Sequence, residues 1–296
     1  MAKVKEIIMS NIVVFGASGQ LGHCFKSLST REGIKNIHFP PESEANILDM
    51  SALKNVFEAY KPSHIINCAA YTAVDRAEDE PGIAIRINKT GVENLASFCA
   101  DHQSTLIHIS TDFVFRGNAS TPRTEESTTE PVNIYGQSKL AGEVAITALL
   151  KNYYIIRTGW LYSEYGNNFV KTMLKLASEK DQLKVVADQV GTPTYAMDLA
   201  ACIMRIIQNK SNAYGTYHYS NEGVASWYDF AKAIFEISDT LIKVSPVKTE
   251  EYITKAVRPA YSVMDKSKIK KNFGIEIPYW RDSLVSCINN LKPRNN

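Results

Sequence analysis

The chain has 296 residues, 45% hydrophobic and 22% charged, and its 33 basic against 31 acidic residues leave a formal charge of +2. This composition supports a packed core and excludes a disordered, collagen-like or low-complexity chain. It also excludes the broad basic face with which nucleic-acid binders neutralise phosphates, while leaving room for a small anionic ligand at a local site.

Cys24, Cys68, Cys99, Cys202 and Cys287 are dispersed with no CxxC pair. Such spacing fits reduced thiols better than a disulfide framework and does not offer a structural zinc site, so no metal is expected. No window approaches the roughly 20 apolar residues that span a bilayer. Residues 1–8 carry charges where a signal peptide would be apolar, and Met9 is an alternative start. A soluble cytoplasmic chain, with neither membrane nor nucleic acid as partner, is the expectation.

In chain order, Ile12-Val13-Val14-Phe15 is a β-branched and aromatic run stopped by Gly16. The loop Gly16-Ala17-Ser18-Gly19-Gln20-Leu21-Gly22 follows, spaced Gly-x-x-Gly-x-x-Gly and opening a helix. Glycines there allow a tight turn and bring backbone N–H groups to a pyrophosphate at the helix N-terminus. Gly16, Gly19, Gln20, Leu21 and Gly22 are therefore candidate cofactor-binding residues. The next apolar stretch, Ile37-His38-Phe39-Pro40-Pro41, ends without the acid that would hold an adenosine ribose, and no Arg is present for a 2′-phosphate. NADH and NADPH both stay open. Asp49 is a candidate either for an adenine-edge contact or for the N-cap of a helix over Ser51 to Tyr60.

The runs from His64 to Ala70, Leu106 to Ser110 and Tyr153 to Arg157 are continuously apolar, which suggests strands covered on both faces. Helical patterns lie between them, over Ser51–Tyr60, Gly91–Asp101 and Tyr135–Leu150. The alternation predicts an α/β fold with a Rossmann-like, doubly wound parallel sheet over residues 1–160. Residues 161–296 read as a smaller mixed α/β substrate lobe, with a helix near 195–210 packing back on the first domain. Helical spacing covers Phe169 to Glu179, Met197 to Gln208 and Ser226 to Ile237, the last opening on a Ser N-cap. Leu183–Val186 and Thr216–Tyr219 are short strand candidates.

Two patterns carry chemistry. Tyr135-Gly136-Gln137-Ser138-Lys139 places a phenol and an ammonium one helical turn apart, and a cation that close should lower the tyrosine pKa toward a usable proton donor. Ser110-Thr111-Asp112 ends an apolar run, where ligands bind in open α/β sheets, and offers a hydroxyl to a substrate oxygen.

Together these residues resemble the extended short-chain dehydrogenases/reductases, and within them the dTDP-4-dehydrorhamnose reductases. The resemblance is carried by Gly19-Gln20-Leu21-Gly22, Asn67 to Asp75, His108 to Phe115, Tyr135 to Glu143, Arg157 to Tyr162, Gly166 to Val170, Asp188 to Thr194, Ser226-Trp227-Tyr228 and, separately, Ala256-Val257-Arg258-Pro259. It implies NAD(P)H-dependent reduction of a dTDP-4-keto sugar at C4. Tyr135 would be the general acid, Lys139 its electrostatic partner and Thr111 the donor to the keto oxygen. It further implies Asp49 and Met50 at the adenine, and Ala69, Ala70, Tyr71 and Ile109 along the cofactor groove. Thr72, Ala73, Val74, Asp112 and Trp160 would lie at the sugar, with Trp160 alternatively plain core. Arg258 is the candidate for the substrate diphosphate, its alternative being a surface salt bridge.

Related dehydratases place a Glu where this chain has Phe113, so dehydration is not expected. His23-Cys24 stand where some family members carry a carboxylate for a Mg²⁺-bridged dimer; a homodimer stays open. Because a regulatory subunit of methionine adenosyltransferase is similar to this family too, a non-catalytic binding module is the alternative, as is reduction of another 4-keto sugar nucleotide. Intact Thr111, Tyr135 and Lys139 favour the enzyme.

Overall fold

The computed structural model describes residues 11–292; the charged opening and Met9 lie outside them. The first part of the chain runs β1 (Ile12–Phe15), α1 (Gln20–Glu32), β2 (Ile37–His38), α2 (Met50–Tyr60), β3 (His64–Asn67), α3 (Val74–Asp79), α4 (Pro81–Ile85), α5 (Val92–Asp101), β4 (Thr105–Thr111), α6 (Ile134–Leu149) and β5 (Tyr153–Thr158). It continues with β6 (Leu161–Tyr162), α7 (Phe169–Glu179), β7 (Gln182–Val186), β8 (Val190–Gly191), β9 (Thr194–Tyr195), α8 (Ala196–Asn209) and β10 (Gly215–His218). The chain closes with β11 (Ala225–Ser226), α9 (Trp227–Ile237), β12 (Lys243–Val247), α10 (Ser267–Phe273) and α11 (Trp280–Leu291).

Six strands form one parallel sheet in the order β10-β5-β4-β3-β1-β2. Apolar residues on both faces of β1 and β3, such as Val13, Val14, Ile65 and Ile66, are completely buried. This is the burial that continuous rather than alternating apolarity demands. One layer packs α2 and α5 through Leu53, Phe57, Leu95 and Cys99. The other packs α1 and α8, then runs without a break into Phe230, Trp280 and Leu284 of the C-terminal helices. Strand order reverses between β1 and β3, and that reversal opens a crevice beyond their carboxyl ends.

Two elements depart from expectation. The strand expected near Thr216–Tyr219 is β10, and it extends the main sheet beside β5 rather than a sheet of the second lobe. Its burial is supplied by residues distant in sequence, so its own four residues could not announce its neighbour. Helix α5 is preceded by a π-helical segment, Arg86–Gly91, so the regular helix begins at Val92. Helix α9 matches expectation: Ser226 accepts from the Asp229 N–H at 3.0 Å and Asp229 accepts from the Ser226 N–H at 2.9 Å, a reciprocal cap.

Candidate active site

Gly16 adopts φ +73°, and a Cβ there would sit 2.5 Å from the Ala69 nitrogen. A Cβ on Gly22 would meet the Gly16 carbonyl oxygen at 2.6 Å. These two glycines let the loop fold tightly between β1, β3 and α1. Helix α1 starts after Gly19 without a side-chain cap, and Gly19, Gln20 and Leu21 at its start line the crevice, the arrangement a dinucleotide phosphate site requires. The Gln20 side chain does not reach for a ligand: it donates to the Leu161 carbonyl at 3.2 Å and accepts from Ser163 and Asn168 at 3.1 and 3.0 Å. It ties the loop to β6 and to the segment that leads into α7.

The crevice is a cavity of about 570 Å³ lined by Gly16, Gly19, Gln20, Leu21, Ala70, Thr72, Val74, Ile109, Thr111, Asp112, Tyr135 and Trp160, among others. It brings together the glycine loop and the residues expected to act on substrate. An adjoining cavity of about 300 Å³ extends from Gly16 and Gly19 past Ala69 and Ala70 to Glu42, Asn46, Ile47, Leu48 and Ile87. Glu42 follows the Ile37–Pro41 run as an imperfectly placed ribose acid; Asn46, Ile47, Leu48 and Ile87 were not singled out, because nothing in their spacing distinguishes them from ordinary loop and helix residues.

Several expected residues lie elsewhere. Asp49 accepts from the Ser51 and Ala52 N–H groups at 2.8 and 3.1 Å as the N-cap of α2, and neither Asp49 nor the exposed Met50 lines these cavities. Tyr71 turns its hydroxyl to Glu80 at 2.9 Å, and Ala73 is the residue before α3. Neither lines the crevice.

Tyr135 is half-buried on the crevice wall, its ring edge-on to Phe113 at 5.6 Å. Contrary to expectation, its phenol is pushed up to about 12, mainly by loss of solvent, with the neighbouring Thr111 hydroxyl lowering it and the Asp112 carboxylate raising it. The physical reason is the placement of Lys139, which shares α6 but is buried beneath the crevice. Its Nζ donates to the Ile109 carbonyl at 2.7 Å and lies 3.3 Å from His108 Nε2. Burial pulls this lysine down to about 8. Thr111 Oγ1 donates to Asp112 at 3.1 Å and accepts from the Phe113 N–H at 3.2 Å. Asp112 packs its carboxylate where a Cβ on Gly159 would fall, 2.6 Å away, and burial lifts it to about 6.

Trp160 is held at φ +50°, a conformation rare for a bulky residue. Its ring stacks on Trp227 with 3.5 Å between centroids and 4° between planes. Beyond that pair lies a second cavity of about 500 Å³, lined by Phe169, Gln189, Trp227, Tyr252 and Arg258 among others. Arg258 reaches it while donating to both Asp75 carboxylate oxygens, at 2.6 and 3.1 Å. The alternative weighed for it, an ion pair, is thus present. No group of three or more His, Cys, Asp or Glu among the described residues is placed to hold a metal.

A dinucleotide loop at the switch point of a parallel sheet, facing a tyrosine and a threonine across one crevice, defines an oxidoreductase of the short-chain dehydrogenase/reductase class. The family model described as RmlD substrate binding domain matches residues 9–292. A dTDP-4-dehydrorhamnose reductase of Aggregatibacter actinomycetemcomitans is 40% identical over 286 residues, covering 93% of this chain and 97% of that protein. The crystal structure of a dTDP-4-dehydrorhamnose reductase from Clostridium acetobutylicum is 41% identical, with TM-score 0.89 over 95% of this chain and 99% of that one. That of the Bacillus anthracis reductase, in complex with NADP, is 39% identical, with TM-score 0.91 over 96% and 100%. The chain belongs to the dTDP-4-dehydrorhamnose reductase family.

Proposed function

We propose that this protein reduces the C4 ketone of dTDP-4-dehydro-β-L-rhamnose to dTDP-β-L-rhamnose, using NADPH or NADH. The observation that carries this reading is the shared crevice, in which the glycine loop, Thr111 and Tyr135 line one cavity. Likeness to the reductases named above, one of them in complex with NADP, supports the same chemistry.

The residues present fit a nicotinamide dinucleotide. The close-packed glycines and the uncapped start of α1 leave a cradle for its phosphates, and the adjoining cavity continues toward Leu48. Bound there, the reduced nicotinamide supplies the hydride to C4. As negative charge grows on the keto oxygen, Thr111 Oγ1 and the Tyr135 hydroxyl act as its hydrogen-bond donors. A phenol raised to about 12 keeps its proton until that oxygen becomes basic, and then gives it up. In the free protein Asp112 holds the Thr111 hydroxyl through the hydrogen bond between them, and the single proton of that hydroxyl turns to the keto oxygen as negative charge develops there. Trp160 forms the wall on the sugar side, and the cavity beyond Trp227 suits the nucleotide part of the substrate, with Arg258 near the diphosphate.

Among the described residues no helix is long and apolar enough to cross a membrane. The five unpaired thiols suit a reducing compartment, which supports a cytoplasmic location.

The test is direct. Purified protein mixed with NADPH and dTDP-, UDP- or GDP-4-keto-deoxysugars should consume the nicotinamide absorbance with the dTDP sugar and yield the rhamno product. Cofactor binding without turnover on any of them would overturn the reading.

A further inference from the structure

Two fully buried polar side chains beneath Lys139 take no part in the steps above. Asn67 ends β3, and His108 occupies the position paired with it on β4. The carboxamide of Asn67 has one orientation, because its Oδ1 accepts the Ala69 N–H at 3.0 Å. Its Nδ2 therefore faces His108 Nδ1, at 3.1 Å, as a donor. A ring nitrogen that accepts is the unprotonated one, so the His108 proton resides on Nε2. That nitrogen lies 3.3 Å from Lys139 Nζ. An ammonium has three donors and no acceptor, so an Nε2–H can bond Nζ only through the lone pair of the free amine. The other Lys139 contact agrees, since a neutral amine still donates to the Ile109 carbonyl at 2.7 Å.

We propose that His108, oriented by Asn67, is a positioning residue for Lys139: it directs an Nε2–H at the lysine nitrogen and favours the free amine, so that Lys139 changes charge within the working pH range instead of remaining a fixed cation. The proposal rests on the reductase reading for its consequence, though not for its geometry. A lysine with an accessible free-amine form can release and regain a proton at Nζ, whereas a permanent ammonium supplies only charge.

The groups facing Lys139 act in both directions. Glu143, one turn along α6, and Cys68, just past β3, favour its cation, but burial outweighs them. Glu143 is itself held by Ser110 of β4 and by Arg157 of β5. Tyr135 and Asp112 lie on the crevice side. Burial holds His108 well below its ordinary range, to which Lys139 adds when it is charged, so the ring stays neutral in either state of the lysine, as the hydrogen-bond pattern requires.

Two measurements test this. The assigned ring nitrogens of His108, followed by ¹⁵N spectroscopy in the cofactor-free protein from about pH 6 to about pH 9, should report the neutral Nε2–H tautomer throughout. An Nδ1–H tautomer or an imidazolium overturns the proposal. In His108→Gln, whose amide can turn its oxygen toward an ammonium, the titration of the Lys139 ε-methylene resonance should move up by about one unit. The pH profile of kcat should move with it while KM for the sugar nucleotide stays nearly constant. A lower rate with the Lys139 titration unmoved would mean a merely structural role and overturn the proposal. Should His108→Gln fail to fold, the tautomer in the native protein decides. Absence of turnover would sink the reductase reading alone, because neither spectrum requires substrate.

Discussion

Arg258 grips Asp75 across 183 positions of sequence, its two terminal nitrogens 2.6 and 3.1 Å from the two carboxylate oxygens. The same carboxylate accepts the Ala256 N–H at 3.1 Å, so one acid on α3 fastens the segment that carries the arginine and walls the second cavity. Through this pairing Asp75 is held below the usual carboxylate range, first by its bond to Arg258. An arginine pre-set in this way can share itself with a diphosphate at little ordering cost. Arg258→Ala should raise KM for the nucleotide sugar by roughly tenfold or more, the size of a charge-assisted hydrogen bond, with kcat much less affected. Steady-state kinetics separate this from a pure brace, for which only thermal stability would fall.

Trp160 depends on the absence of a side chain at Gly191. A Cβ there would lie 2.7 Å from the indole Cε2 and 2.7 Å from Ser262 Oγ, distances the neighbours cannot tolerate unmoved. Gly191→Ala should displace Trp160 from its stack on Trp227 and weaken sugar-nucleotide binding while dinucleotide binding is retained. Tryptophan fluorescence and separate titrations with each ligand measure the two effects; equal loss of both would contradict it.

Removing the phenolic hydroxyl tests the proposed acid. Tyr135→Phe keeps the ring contact with Phe113 and should lower kcat by about 10²–10⁴, the usual contribution of a positioned proton donor. Dinucleotide affinity, read by fluorescence titration, should not change.

Asp112 carries a pH signature. Burial lifts its carboxyl to about 6, above the roughly 3.9 of an unfolded chain. Between those values the folded protein binds the proton more tightly than the unfolded one, so this group destabilises the fold fully above about pH 6 and progressively less toward pH 4. Asp112→Asn should therefore gain stability relative to the native protein at pH 8, by up to about 3 kcal/mol, and lose most of that gain near pH 4. Thermal melts of both proteins across this range provide the comparison.

The pair Glu143–Arg157 is buried at 2.7 Å, with the arginine also lying over the Phe115 ring at 5.2 Å. Among the described residues Arg157 Nη1 has no partner, so Glu143 neutralises a guanidinium that is already incompletely satisfied. Glu143→Ala should cost about 3–5 kcal/mol of unfolding free energy, because it leaves a buried charge uncompensated. A urea midpoint shift within error of zero would refute the assignment.

Much of this could be read locally. Ile12–Phe15 followed by spaced glycines marks a strand, a turn and a helix through short-range sterics alone, and Ser226 with Asp229 marks a helix start in the same way. The site was legible in part. Thr111 and Tyr135 do line one crevice, since a strand end and a neighbouring helix bring them there in any fold of this class. For Asp49 the sequence offered two roles, and the structure shows the N-cap of α2; an acid before a helix satisfies the helix N-terminus whether or not a ligand lies nearby.

By itself the sequence determined the class of fold, the glycine cradle and the residue types available for proton donation, all properties of neighbours along the chain. Only the tertiary structure decided that β10 joins the main sheet, that Arg258 meets Asp75 and that Trp160 stacks on Trp227. It also reversed the expected electrostatics of the Tyr135–Lys139 pair, turning the lysine down onto Ile109 and His108 and leaving the phenol raised rather than lowered. The reason is that spacing fixes which side chains share a helix face, whereas protonation depends on burial and on hydrogen-bond partners that arrive from other strands.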